Sequence, residues 1–237
     1  MHLLLGSGGI RTPERVDLWK STAASFLKDV SEVLFIPYAL KDFDAYTAKV
    51  IEDQSYEGKK VKGIHTFKDP KSAILQAEAI FIGGGNTFRL LKTMKDFDLL
   101  SIVREQVLSG CLYIGISAGT NLACPTIGTT NDMPIVTPQG FQGLGLIDFQ
   151  INPHFFSGPS YFKKKGIFEV HAGETREDRI SEFHEENQMA VLALPEGSIV
   201  EIFDNQKKLL GSDGARLFIK GQEPEDLHAG MIHIPAC

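Results

Sequence analysis

The sequence predicts an α/β protein with a mainly parallel central sheet flanked by helices and antiparallel strands added in the C-terminal half. Three observations carry that expectation. Short apolar runs alternate with helix-length amphipathic stretches through the first half, the pattern of βαβ units. Three of these runs end in glycine or in a glycine-containing turn, and ligand sites of open α/β sheets lie at such strand ends. In the last fifty residues, turns rather than helices separate the apolar runs.

The elements follow in order. His2–Leu5 ends at Gly6-Ser7-Gly8-Gly9, and a helical stretch around Arg15–Lys28 leads to the run Val33–Pro37. Ala79–Ile82 runs into Gly83-Gly84-Gly85, ahead of a helix carrying Phe88 and Leu91. A helical stretch around Leu99–Ser109 leads to Leu112–Ile116. The later runs Val191–Leu194, Ile199–Phe203 and Arg216–Ile219 are punctuated by Pro195-Glu196-Gly197 and Asp204-Asn205, so they read as antiparallel strands joining the same sheet. Without an internal repeat, low-complexity tract or Pro/Ser-rich linker, a single domain over residues 1–237 is expected.

Composition narrows the function classes. Lys+Arg 24 against Asp+Glu 30 gives a net charge of −6, with no global basic field for nucleic acid. A hydrophobic content of 43% with 23% charged residues is that of a globular chain rather than a disordered one. No apolar run approaches the roughly 20 residues of a membrane span, and Met1–Gly6 lacks the basic flank of a secretion signal. Cys111, Cys124 and Cys237 are scattered and form neither a disulfide framework nor a metal-ligand pair. A cytoplasmic protein with no metal, nucleic-acid or membrane partner is expected.

The segment Leu112–Thr120 carries the most chemistry. An apolar strand enters Gly115-Ile116-Ser117-Ala118-Gly119, and Ala118–Ala123 can continue as a helix. Such a turn is so tight that its flanks must be small. It lifts the Ser117 hydroxyl above the strand end and turns the Ala118 N–H toward a developing oxyanion. A serine needs a base held by a third group. Among seven histidines, His154 stands out in the constrained run Asn152-Pro153-His154-Phe155-Phe156, while His184 sits among Glu182, Glu185 and Glu186 as on a solvated helix face. A lone histidine is nonetheless more often structural. Asp132, in Thr129-Thr130-Asn131-Asp132-Met133-Pro134, is the acid candidate, although the residues around it alone favour an ordinary turn aspartate. The second oxyanion donor is expected from Gly83-Gly84-Gly85-Asn86, whose glycines admit close backbone approach. A phosphate cradle is the rival for this loop, but the P-loop ending and the dinucleotide G-x-G-x-x-G spacing are both missing.

Taken together, these segments resemble peptidase E, the α-aspartyl dipeptidase family of serine peptidases. The resemblance rests on six ordered motifs: Phe81–Phe88, Gly115–Gly119, Thr130–Ile135, Asn152–Phe155, Gly173–Glu177 and Leu194–Gly197. It implies a fold like the class I glutamine amidotransferases and cleavage of small acidic dipeptides with N-terminal aspartate, without a cofactor. It implies Ser117 as nucleophile, His154 as general base and Asp132 as the orienting acid, with Glu196 the alternative acid. Gly85 and Ala118 would supply the oxyanion hole, and Arg176, Asn86 and His171 would bind substrate. By spacing alone, without the resemblance, Glu174–Arg179 reads as a solvated helix start laced with ion pairs. The sequence departs from the bacterial pattern over Ser157–Phe168, which includes Lys163-Lys164-Lys165.

Two other classes fit the same residues: a related hydrolase (an esterase or a cyanophycinase-like β-aspartyl peptidase) and a non-catalytic protein binding an acidic metabolite. Neither the residue preferred after aspartate nor the choice between monomer and homodimer is encoded in any motif.

Overall fold

The computed structural model describes residues 1–53, 56, 58–164 and 166–235. Lys165 and Cys237 therefore lie outside the described residues.

The first strand, β1 (His2–Gly6), is followed by α1 (Pro13–Phe26), β2 (Glu32–Ile36), α2 (Phe43–Glu52), β3 (Lys60–Gly63) and α3 (Pro70–Leu75). Next come β4 (Ala79–Ile82), α4 (Thr87–Asp96), α5 (Leu100–Leu108), β5 (Leu112–Ile116) and α6 (Ala118–Ala123). Helix starts follow local chemistry. Thr12 precedes Pro13 and accepts from the Arg15 N–H, and Asn86 accepts from the Arg89 N–H.

The chain lays down β1, β2 and β3 and then returns to fill the gap, so the main sheet runs β3-β2-β4-β5-β1 in parallel. This order sets β5 between β4 and β1, with Ile82 level with Gly115 and Gly6 level with Ile116. Three glycine-bearing strand ends thus meet at one edge. Alternation buries the strands on both faces. Leu4, Phe35, Phe81 and Ile114 pack under Trp19 and Phe26 of α1 and Val50 of α2. Leu3, Leu5, Ile80, Ile82 and Tyr113 pack on the other side against Leu90, Met94, Val103 and Leu122.

The C-terminal half contains β6 (Gln150–Phe155), β7 (Tyr161–Lys164), β8 (Ile167–Val170), α7 (Arg176–Glu186), β9 (Val191–Pro195), β10 (Ile199–Phe203), β11 (Gln206–Leu210), β12 (Ala215–Phe218), β13 (Glu225–Leu227) and β14 (Gly230–Ile232). As expected, β10 joins the main sheet antiparallel, beyond β1, and β11 and β14 continue it antiparallel. The other late strands differ from expectation. β13, β12, β9 and β6 form a second, four-stranded sheet in which β9 runs parallel to β6. Ile151, Leu192 and Leu194 of this sheet join the core beneath α6, burying apolar surface that a single wider sheet would leave uncovered.

The departure around Ser157–Phe168 is the hairpin β7–β8, with Tyr161 opposite Val170 and all eight strand residues exposed. Among the described residues no helix is long and apolar enough to cross a membrane. Cys111 and Cys124 are buried and unbridged, and burial pushes both thiols up to about 12, so neither offers a thiolate.

Candidate active site

Ser117 is the residue on which β5 breaks into α6. Its backbone has φ 53° and ψ −105°, a conformation non-glycine residues avoid. The turn closes because nothing intrudes on it. A Cβ on Gly119 would lie 2.1 Å from the Ile82 carbonyl oxygen, and one on Gly115 would lie 2.7 Å from the Gly119 oxygen. The Ser117 N–H donates to the Gly6 oxygen at 3.0 Å, and the Thr120 hydroxyl bonds the Gly6 and Gly115 oxygens at 2.7 and 2.9 Å.

His154 reaches the serine from the second sheet. The β6–β9 ladder pairs Pro153 with Leu194 and Phe155 with Pro195, leaving His154 as a bulge residue with φ 56°. A bulge re-aims a side chain out of its strand's alternation. The backbone N–H of His154 donates to Ser7 Oγ at 2.8 Å, and that hydroxyl donates to the Leu194 oxygen at 2.9 Å.

The two sheets thereby bring three side chains into line. Ser117 Oγ lies 2.7 Å from His154 Nε2, and His154 Nδ1 lies 2.8 Å from Glu196 Oε1. A carboxylate accepts only, so Nδ1 carries the proton and Nε2 is left to accept from the serine hydroxyl. This is the hydrogen-bond order by which a base activates a serine.

The carboxylate on His154 is therefore Glu196, and the expectation for Asp132 requires correction. Asp132 Oδ2 accepts from the Thr87 N–H at 2.7 Å, the Thr87 hydroxyl at 2.6 Å and the Thr130 hydroxyl at 3.2 Å, and it makes no bond to His154. Its place is at the start of α4, where free N–H groups and the helix dipole favour an anion. Asp132 fastens the Thr129–Pro134 loop to the glycine loop.

Asn131 is the hub of that loop. Its Nδ2 donates to the Pro153 oxygen at 2.7 Å, beside His154, and its Oδ1 accepts from Arg176 Nη1 at 2.6 Å. Arg176, the first residue of α7, also lies over the Phe156 ring at 5.4 Å. Burial and the neighbouring Arg179 charge lower the Arg176 pKa from its ordinary value, against the raising influence of Asp132. Its Nε is buried without a hydrogen-bond partner. A half-buried guanidinium with spare donors is a carboxylate receptor in form.

The remaining expected residues fall as follows. Gly84 stands beside Ser117, with its Cβ position 3.3 Å from Ser117 Cβ, and Gly85 follows at φ 136°. The Gly85 and Ala118 N–H groups donate to nothing among the described residues. Asn86 is occupied by capping α4 and by donating to the Met133 oxygen at 2.8 Å. His171 is exposed and accepts from the Gly173 N–H at 2.9 Å, with no bond to Arg176. His184, expected on a solvated face, is buried and bonds the Met189 oxygen at 3.0 Å. Among the described residues no group of three or more His, Cys, Asp or Glu could hold a metal ion.

Known proteins share this arrangement of sequence. The model of peptidase family S51 matches residues 2–210. The chain belongs to peptidase family S51. It is 46% identical to a Citrobacter koseri protein named peptidase E, over 83% of this chain and 84% of that protein. It is 42% identical to a Drosophila melanogaster protein named probable alpha-aspartyl dipeptidase, over 89% of this chain and 83% of that one. A crystal structure of a peptidase from an acI-B1 Actinobacterium superposes with a TM-score of 0.67 at 18% identity, covering 98% and 96% of the two chains, and that likeness concerns the fold alone. Family membership makes this S51 chain a serine-type hydrolase.

Sequence reasoning missed Ser7 and its neighbours. A Cβ on Gly8 would lie 2.7 Å from His154 Cε1, and one on Gly9 would lie 1.6 Å from Glu196 Oε2. The signal was present as the glycine-rich end of β1, at the same sheet edge as Ser117. The geometry predicts a proton NMR result. The His154 Nδ1–H, hydrogen-bonded to a carboxylate, gives a strongly downfield resonance that Glu196→Ala and Gly9→Ala remove. Asp132→Ala keeps that resonance but lowers the melting temperature, since an ionised acceptor contributes about 1.5–3 kcal/mol.

Proposed function

We propose that this chain is an α-aspartyl dipeptidase, hydrolysing dipeptides whose first residue is aspartate. One observation carries the reading: the Ser117–His154–Glu196 line shares a framework with a guanidinium that has spare donors. Asn131 bridges them, touching both Arg176 and the carbonyl next to His154. The names of the relatives point the same way.

In this mechanism the aspartyl side chain binds Arg176, which sets the scissile carbonyl over Ser117. Ser117 Oγ attacks the carbonyl carbon while its proton passes to His154 Nε2. Glu196 accepts from Nδ1–H, fixing the tautomer and stabilising the imidazolium. The N–H groups of Ala118 and Gly85 receive the negative oxygen, acting as preorganised donors. Collapse breaks the C–N bond, and His154 returns its proton to the leaving amine. Water, deprotonated by His154, then attacks the aspartyl ester, releases aspartate and restores the Ser117 hydroxyl.

Selection of aspartate is local in this reading. The net charge of −6 repels an acidic dipeptide only weakly, because salt screens over ~8 Å. One half-buried positive charge outweighs that field at contact distance.

Two measurements test the reading. Ser117→Ala reduces Asp-Leu hydrolysis by on the order of 10⁶, as loss of a serine nucleophile does. Turnover within tenfold of wild type sinks the mechanism. Arg176→Ala lowers kcat/KM for Asp-Leu by about 100-fold or more, because a site built for a polar group rejects analogues that leave it unpaired. The same variant turns over Ala-Leu as wild type does. Equal wild-type rates on Asp-Leu and Ala-Leu remove the acid-reading pocket, and faster cleavage of β-linked aspartyl or ester substrates transfers the assignment to those classes.

A further inference from the structure

The glycine loop beside the nucleophile is tethered by a residue on a helix that no motif singled out. Tyr46, on α2, donates its hydroxyl to the Gly84 carbonyl oxygen at 2.9 Å. Its ring stands edge-on against Phe35, with centroids 5.0 Å apart and planes at 86°. Only glycine at position 83 permits the approach, since a Cβ there would sit 2.3 Å from the Tyr46 hydroxyl oxygen. Burial pushes the phenol up to about 12, so it remains a donor at neutral pH.

The tether has a stereochemical consequence. The Gly84–Gly85 peptide is trans, so its N–H points opposite to its carbonyl. With the carbonyl committed to Tyr46, the Gly85 N–H faces away from α2 and has no partner among the described residues. The following peptide is fixed in turn, because the Asn86 N–H donates to the Ala39 oxygen at 2.9 Å. The Cβ position of Gly84 lies 3.8 Å from Ser117 Oγ, so this peptide borders the nucleophile. A peptide between two glycines has unusual freedom to rotate, and an oxyanion donor is effective only when preorganised.

We propose that Tyr46 is a positioning residue for acyl transfer: its hydroxyl sets the rotation of the Gly84–Gly85 peptide and so presents the Gly85 N–H to the developing oxyanion. This rests on the serine acyl-transfer reading of the site, and it assigns to α2, on the face of the sheet that holds α1, a share in that chemistry.

The test is Tyr46→Phe, which keeps the ring and its packing on Phe35 while deleting one hydroxyl. Three quantities are read well below the melting temperature: kcat on Asp-Leu, KM on Asp-Leu, and the rate at which a fluorophosphonate labels Ser117. Removing an oxyanion donor outright costs ~10²–10³ in rate, and loosening one costs a part of that, about tenfold. The expected result is a parallel tenfold fall in kcat and in labelling rate, with KM within twofold of wild type. Tyr38→Phe, at a buried tyrosine outside the site, changes none of the three. If Tyr46→Phe leaves both rates within twofold of wild type, or raises KM alone, the inference is overturned whatever the melting temperature does. If wild type fails to cleave Asp-Leu but labels ten times faster than Tyr46→Phe, the dipeptide assignment falls and the role of Tyr46 stands.

Discussion

The hydrogen bond between Ser117 and His154 is the constraint on which the rest of the structure turns, because its two ends belong to different sheets. Both residues hold positive φ, 53° and 56°, and each such conformation costs on the order of 1–3 kcal/mol. Neither persists unless its surroundings over-determine it. For Ser117 the determinants are the glycines at 115 and 119 and the Thr120 hydroxyl bonds to the Gly6 and Gly115 oxygens. For His154 they are the bulge between Pro153 and Phe155 and the donation of its N–H to Ser7.

Ser7 joins these two sets of determinants. It follows Gly6, whose carbonyl accepts from both Ser117 and Thr120, and its own hydroxyl spans His154 and Leu194. One end of the first strand therefore registers the main sheet against the second. The backbone repeats the connection, since the Ser7 N–H donates to the Ser198 oxygen and the Gly197 N–H to the Gly8 oxygen, at 3.0 and 2.8 Å. These bonds bracket Glu196. A carboxylate placed by such short connections has little freedom to leave the imidazole.

How much of this was legible in the sequence follows from range. The parallel strands are written locally as apolar runs, and the serine turn as Gly115-x-Ser117-x-Gly119, where Gly115 is demanded by the Gly119 oxygen four positions on even though Gly119 answers to the distant Ile82 oxygen. The second sheet is not local. Val191–Leu194 reads as antiparallel from its turns, and only the pairing with Gln150–Phe155, forty residues earlier, makes it a parallel strand of another layer. The carboxylate bonded to His154 is hard to read for the same reason, which leaves Asp132 ahead of the alternative Glu196 in the sequence. Asp132 has a motif around it and lies closer in sequence to His154, whereas Glu196 is placed by the β6–β9 register, which sets Pro195 opposite Phe155. Two strands ending side by side at Phe155 and Pro195, with Glu196 just beyond, carry that information only once they are known to be parallel neighbours.

Asp132 is then part of a scaffold, apart from the Ser117–His154–Glu196 line. Its bonds to Thr87 draw the Thr129–Pro134 loop onto the start of α4, immediately after the glycines that border Ser117. The adjacent Asn131 holds Pro153 on one side and Arg176 on the other. Removing either residue would leave the histidine bonded to Glu196 but would free the guanidinium from the frame that holds Ser117 and His154. The carboxylate bonded to His154 and the carboxylate that anchors the loop carrying Asn131 are thus different residues. Each fixes a different piece of geometry, the first the tautomer and aim of the imidazole, and the second the place of Asn131, which spans the Pro153 carbonyl and the Arg176 guanidinium.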